Sequence, residues 1–140
     1  MDIVLRRMVA LFHIFNNKEE RRAFGGSSFV ELQYCRLNLN SKLKKIVSLR
    51  HIKHWLDDSL YVYVDDIDDF MESYGDIFND GRYNNKYAGP IDIYGINYYD
   101  IEQVKSFMVT TGENRPKDYK VLMDWLTKAL DYNGFYILGI

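Results

Sequence analysis

The spacing of apolar residues changes several times along the chain, and each change predicts an element. Val4, Met8, Leu11 and Phe12 recur at helical spacing, which predicts an amphipathic or buried helix over residues 3–15. The stretch NNKEERRAFGG continues as a second short helix or turn, ended by Gly25-Gly26. Over SSFVELQYCRLNL two readings compete. Ser28 and Glu31 stand at the spacing of a capping box, which favours a helix, while the β-branched and aromatic content suits a strand. Residues 42–56 carry Leu43, Ile46, Val47, Ile52 and Leu56, and helix and strand compete there as well.

The second half of the chain has firmer punctuation. SLYVYV, residues 59–64, alternates and is rich in Val and Tyr, so it predicts a strand. Asp65 or Asp66 then caps a helix reaching about Phe78, with Ile67, Phe70, Met71, Tyr74 and Ile77 on one stripe. NDGRYNNKYAGP reads as a loop, and PIDIYGINYY as a strand with a bulge at Gly95. Asp100 caps a helix through Met108. Pro116 suits the first turn of another, which carries Leu122, Trp125, Leu126 and Ala129 until Asn133-Gly134 stops it. FYILGI makes a last strand. The order predicts one α+β domain spanning residues 1–140: a small, mainly antiparallel sheet packed against helices on one side, with a helical N-terminal part.

Composition narrows this picture only a little. A chain of 140 residues buries a core without a disulfide or metal, and its one cysteine, Cys35, fits a reducing cytosol. Residues 8–15 are apolar but interrupted by His13, and read as core rather than as a signal peptide or membrane span.

Charge changes the picture more. The net charge of −2 hides eleven Lys or Arg against four acids in residues 1–54, and two against eleven in residues 55–100. From Asp57 to Asp80 there are nine acids and no Lys or Arg. Such a run attracts a basic partner and repels phosphates, unless the basic segment neutralises it within the fold. First-turn carboxylates also serve the helix itself, which accounts for Asp65 and Asp66 but not for Glu72, Asp76 and Asp80.

Several chemistries are open on residue type alone. Calcium loops need alternating oxygen ligands around a sharp glycine turn, which DDIDDFMESYGD lacks. His51, His54 and Asp58 would share a face if residues 51–58 were a helix, and could then hold zinc. Cys35 with a histidine is a conceivable nucleophile pair, although a lone cysteine ordinarily acts as a small apolar residue. Lys42, Lys44, Lys45, Arg50 and Lys53 form a basic stripe that suits nucleic acid. No phosphate loop, zinc signature or nucleophile elbow is present.

YVYVDDIDDFMESYGDIF, followed by DYKVLMDWLTKALDYNGFYILGI, resembles the immunity proteins of bacterial contact-dependent growth inhibition systems, particularly those paired with ribonuclease toxins. The resemblance covers residues 59–140. Trp125, Asn133-Gly134 and the last apolar strand are its most specific part. It implies a small cytoplasmic protein with neither enzymatic activity nor cofactor, which blocks the active site or substrate surface of a cognate nuclease domain. The expected contacts are Asp66, Asp69, Glu72, Asp76 and Asp80 for charge complementarity, with Tyr83 and Tyr87 as aromatic anchors. A regulator that binds nucleic acid through the stripe from Lys42 to Lys53, and a metal-dependent enzyme, are the alternatives.

Overall fold

The computed structural model describes residues 10–82 and 88–140. Six strands form one antiparallel sheet: β1 (Phe29–Tyr34), β2 (Leu60–Tyr63), β3 (Gly81–Arg82), β4 (Ala88–Gly89), β5 (Ile96–Tyr99) and β6 (Phe135–Leu138). Their spatial order is β2-β1-β6-β5-β3-β4, so the last strand lies in the middle. The helices are α1 (Lys18–Gly25), α2 (Leu43–Ile46), α3 (Ile67–Tyr74), α4 (Ile101–Asn114) and α5 (Tyr119–Ala129). The α+β class and the antiparallel sheet predicted from the pattern are both present.

Strand side chains alternate between two faces. Val30, Leu32, Tyr34, Leu60, Val62, Tyr99, Phe135 and Ile137 join the main core, where the apolar stripes of α3, α4 and α5 cover them. Ile67, Phe70 and Tyr74 of α3 are buried there, as their spacing predicts. Phe29, Cys35, Tyr61, Tyr98, Tyr136 and Leu138 point the other way, into two smaller clusters. Phe24 of α1, Ile46 of α2, Val47, Ile52 and Trp55 cover that second face. The sheet is therefore covered on both sides, not on one.

Several boundaries differ from the sequence reading, each for a physical reason. Residues 10–15 are not helical: His13 exchanges both backbone hydrogen bonds with Tyr61, and the Leu11 and Phe12 amides donate to the Asp118 carboxylate at 3.1 and 2.9 Å. Their burial comes from that docking rather than from a helical stripe; residues 1–9 lie outside the described residues. Ser28 and Glu31 form no capping box, because residues 29–34 are a strand buried along its whole length. Helix α3 ends at Tyr74, short of Phe78, and Asp66 at its N-cap makes no side-chain capping bond because a 3₁₀ turn over Val64–Asp66 leads into it. The loop predicted after Asn79 contains β3 and β4, and Asp92 to Gly95 is a turn rather than a strand. Pro116 precedes α5 by three residues rather than opening it.

Other local signals act as read. Asp100 and Gln103 form a reciprocal capping box on α4, which runs beyond Met108 to Asn114. Gly134 turns the chain into β6 with φ +72°, and a Cβ there would meet the Tyr99 carbonyl at 2.0 Å.

Candidate functional site

The acid run divides into acids with partners and acids without. Asp69, in the first turn of α3, pairs with Lys117 at 2.7 Å. That hydrogen bond is the main reason the Lys117 ammonium sits above its ordinary pKa. Asp66 is half-buried; burial raises its pKa, while His13 and Lys117 pull it down. Glu72 rides the exposed side of α3, whereas Asp76 and Asp80 stand on the turns beyond it. The five predicted contacts thus do not share one helical face. Asp65, Asp68, Glu72 and Asp76 are exposed and form no ion pair with another described residue. Tyr83 and Tyr87 lie outside the described residues.

The basic stripe lies over the opposite face of the sheet. Ile46 and Val47 are buried in the second-face cluster, while Lys42, Lys44, Lys45, Arg50 and Lys53 are exposed. Between residues 1–54 and the run from Asp57 to Asp80, Arg36 with Asp58 is the one ion pair among the described residues. Among the described residues, direct ion pairing between the basic and acidic segments is limited to that contact.

The other sequence candidates separate. Residues 51–58 are not a helix, so His51, His54 and Asp58 have no common helical face. Among the described residues no group of three His, Cys, Asp or Glu could hold a metal ion. Cys35 is fully buried with its Sγ 3.4 Å from the Tyr136 hydroxyl, and burial pushes its thiol pKa up. Among the described residues no helix is long and apolar enough to cross a membrane.

The arrangement that the sequence did not disclose is centred on Glu31. This carboxylate is 1% exposed on β1 and faces away from the main core. It accepts the backbone N–H groups of Trp55 and Leu56 at 2.9 and 3.2 Å, the Ser59 hydroxyl at 2.7 Å and the Gln33 amide at 3.1 Å. His54 Nδ1 lies 3.6 Å away. Burial alone would raise its pKa, but His54, the Trp55 amide, Ser59 and Gln33 outweigh that and hold it below the usual carboxylate value.

Other side chains complete the fastening of residues 53–58. Gln33 donates to the Lys53 carbonyl at 2.6 Å, the Tyr61 hydroxyl to the Leu56 carbonyl, and the Trp125 indole to the Asp58 carbonyl at 2.8 Å. Arg21, itself buried, lies 3.9 Å from the centroid of the Trp55 ring. So restrained, Trp55 holds φ +70°, a conformation that a bulky residue adopts only when its surroundings impose it.

Asp57 of this segment lines three cavities, of about 380, 400 and 440 Å³. The sequence signal for it was a buried-strand pattern interrupted by Glu31 and Gln33, which is visible only once the strand is known. Compared with family models, with curated proteins and with solved structures, the chain matches none.

Proposed function

We propose that this chain is a binding protein that acts as an immunity protein, using its acid run to recognise a basic toxic nuclease domain of a contact-dependent inhibition effector. The observation that carries the reading is the exposed set Asp65, Asp68, Glu72 and Asp76, which forms no ion pair with another described residue. A buried floor of Ile67, Phe70 and Tyr74 supports it. A nuclease concentrates Lys and Arg where it holds phosphate, so carboxylates on a folded inhibitor compete for the same field and speed encounter. The reading assigns the chain stoichiometric inhibition and no chemical step of its own.

The test is co-expression with the toxic domain of a large secreted effector encoded beside this chain. The parent should restore growth. The triple variant Asp68→Lys, Glu72→Lys, Asp76→Lys should remain folded by circular dichroism, associate more slowly at low salt and fail to protect. Equal protection with unchanged association would move the inhibitory surface elsewhere.

One observation favours a second reading, a regulator that binds nucleic acid. Lys42, Lys44, Lys45, Arg50 and Lys53 are exposed and unpaired with any described residue. A salt-sensitive gel shift with RNA, lost on reversing these charges, would select it over the first.

A further inference from the structure

We infer that the cavity between α1 and Trp55 binds a terminal phosphate group. The inference is separate from the acid run, because α1 covers the sheet face opposite α3. The observation that carries it is Arg21. This residue is 5% exposed, yet it forms no ion pair with another described residue. Arginine is almost never so deeply buried without an anion beside it. Of its five N–H donors, the fold uses one, from Nη1 to the Gly26 carbonyl. Nε is shut off from solvent and has no partner. Nη2 has no hydrogen-bond partner among the described residues either, but it is not shut off, and it is the donor left for an incoming oxygen.

The cavity measures about 400 Å³, within the range of small-molecule sites. Gly26 and Trp55, the two groups that hold the guanidinium, line it together with Arg21. Lys18, Arg22 and Ser27, all exposed, complete the lining, which thus holds three cations and no Asp or Glu. Lys18, Arg21 and Arg22 stand at i, i+3 and i+4 on α1 and share one side of it. Neither Lys18 nor Arg22 forms an ion pair with another described residue. Glu19, next to Lys18 in the chain, lines the neighbouring cavity instead. A terminal phosphate matches this charge, since it carries nearly two negative charges and three acceptor oxygens. A carboxylate, or one phosphodiester of a strand, carries a single charge for three cations. Arg21 and Tyr61 occupy the two faces of the Trp55 ring, so no base stacks there and the site reads the phosphate itself. The guanidinium is already fixed by Gly26 and Trp55, so little ordering remains to be done on binding.

The probes are inorganic phosphate, uridine 5′-monophosphate and uridine, titrated at constant ionic strength into the whole labelled protein by NMR. The chain has two tryptophans, whose indole N–H signals serve as reporter and control. Trp55 lines the cavity, whereas the Trp125 indole is held on the Asp58 carbonyl. Saturable shifts at Trp55 are expected with phosphate and with the nucleotide, and none with uridine, while Trp125 stays unmoved. Tighter binding of the nucleotide than of phosphate would identify an esterified phosphate as the ligand, and equal binding the free ion. Lys18→Ala with Arg22→Ala should weaken binding by about tenfold. Arg21→Lys keeps the charge but loses the planar fork, and should weaken it further. If Arg21→Lys does not fold, the pair variant decides, because it alters exposed positions and an unchanged thermal midpoint confirms its fold. Shifts that do not saturate, that uridine reproduces, or that survive the pair variant would overturn the site. A 5′-hydroxyl RNA oligonucleotide that binds at Trp55 as tightly as its 5′-phosphorylated form would overturn the terminal group in favour of the strand backbone.

Discussion

The two faces of the sheet are covered by opposite means. On one, α3, α4 and α5 satisfy their own backbone groups and contribute apolar stripes. On the other, α1, the four-residue α2 and a stretch of irregular chain do the covering, and irregular chain cannot satisfy its own N–H and C=O groups. The second face solves this with polar side chains placed inside it. Glu31 and Gln33 stand on β1 between Phe29 and Cys35, dividing two apolar clusters, and spend their hydrogen-bonding capacity on residues 53–59. The difference teaches that acidic residues in this chain do two unrelated kinds of work. Glu31 and Asp118 each accept two consecutive backbone amides and hold a segment in place. Glu72 and Asp76 stand in solvent and support no backbone group among the described residues.

The most damaging test removes what both faces share. Phe135 and Ile137 lie in the main core, and Tyr136 and Leu138 in the smaller cluster behind the sheet. Each such burial contributes about 1.5–3 kcal/mol, against a total of roughly 5–15 kcal/mol for a domain. Deleting residues 135–140 should abolish the cooperative thermal transition seen by calorimetry. A retained transition would mean that the sheet closes without β6.

Breaking only the second face should cost less. Glu31→Ala strands two amides and a hydroxyl, each worth about 1–3 kcal/mol when buried without a partner. Urea denaturation should show a loss of about 3 kcal/mol or more, and the Trp55 and Leu56 amides should exchange with solvent far faster while α4 and α5 stay protected. Acid should reproduce part of this in the parent. The Glu31 pKa is lowered in the folded state, so its contribution is complete above the unfolded value and is lost as pH falls through the folded one. Parent stability should therefore decline below about pH 4.3, and Glu31→Gln should lack that part of the decline. Equal slopes for parent and variant would show that the carboxylate charge plays no part in holding the segment.

The smallest effect belongs to the solvent side of α3. Asp69 and Lys117 are both close to half exposed, and such pairs contribute about 0–1 kcal/mol. Lys117→Ala should shift the urea midpoint accordingly little. A loss comparable to that of Glu31→Ala would erase the distinction between the two kinds of acid.

What the sequence could disclose follows the same division. Elements that satisfy their own backbone, or pair in a regular ladder, leave a period or a cap behind: the α3 stripe, the Asp100 capping box, the alternation of residues 60–63 and the apolar run of β6 were all legible. Residues 53–58 have no period because their partners lie on β1, β2 and α5. Residues 10–15 gave a false helical signal. Leu11 and Phe12 are apolar at helical spacing, yet their amides are taken by Asp118, more than a hundred residues away. Ser28 and Glu31 matched a local motif by spacing, while Glu31 serves a distant segment. Of the acids, the sequence disclosed their number but not which ones the fold uses. The cavity at Asp57, Asp58 and Asp131 was invisible because its walls come from four separated stretches.

The place of β6 has a consequence for the order of folding. β1 takes one ladder partner from β2, about thirty residues onward, and the other from β6, with Glu31 opposite Leu138. Contacts of such long range are slow to form because the intervening chain must first give up its freedom. Until the ribosome has delivered residues 135–138, the hairpin of β1 and β2 waits with one flank unpaired, the situation in which strands find wrong partners. Glu31 sits in the middle of that waiting strand, and an ionised side chain there discourages foreign strands from adding to it.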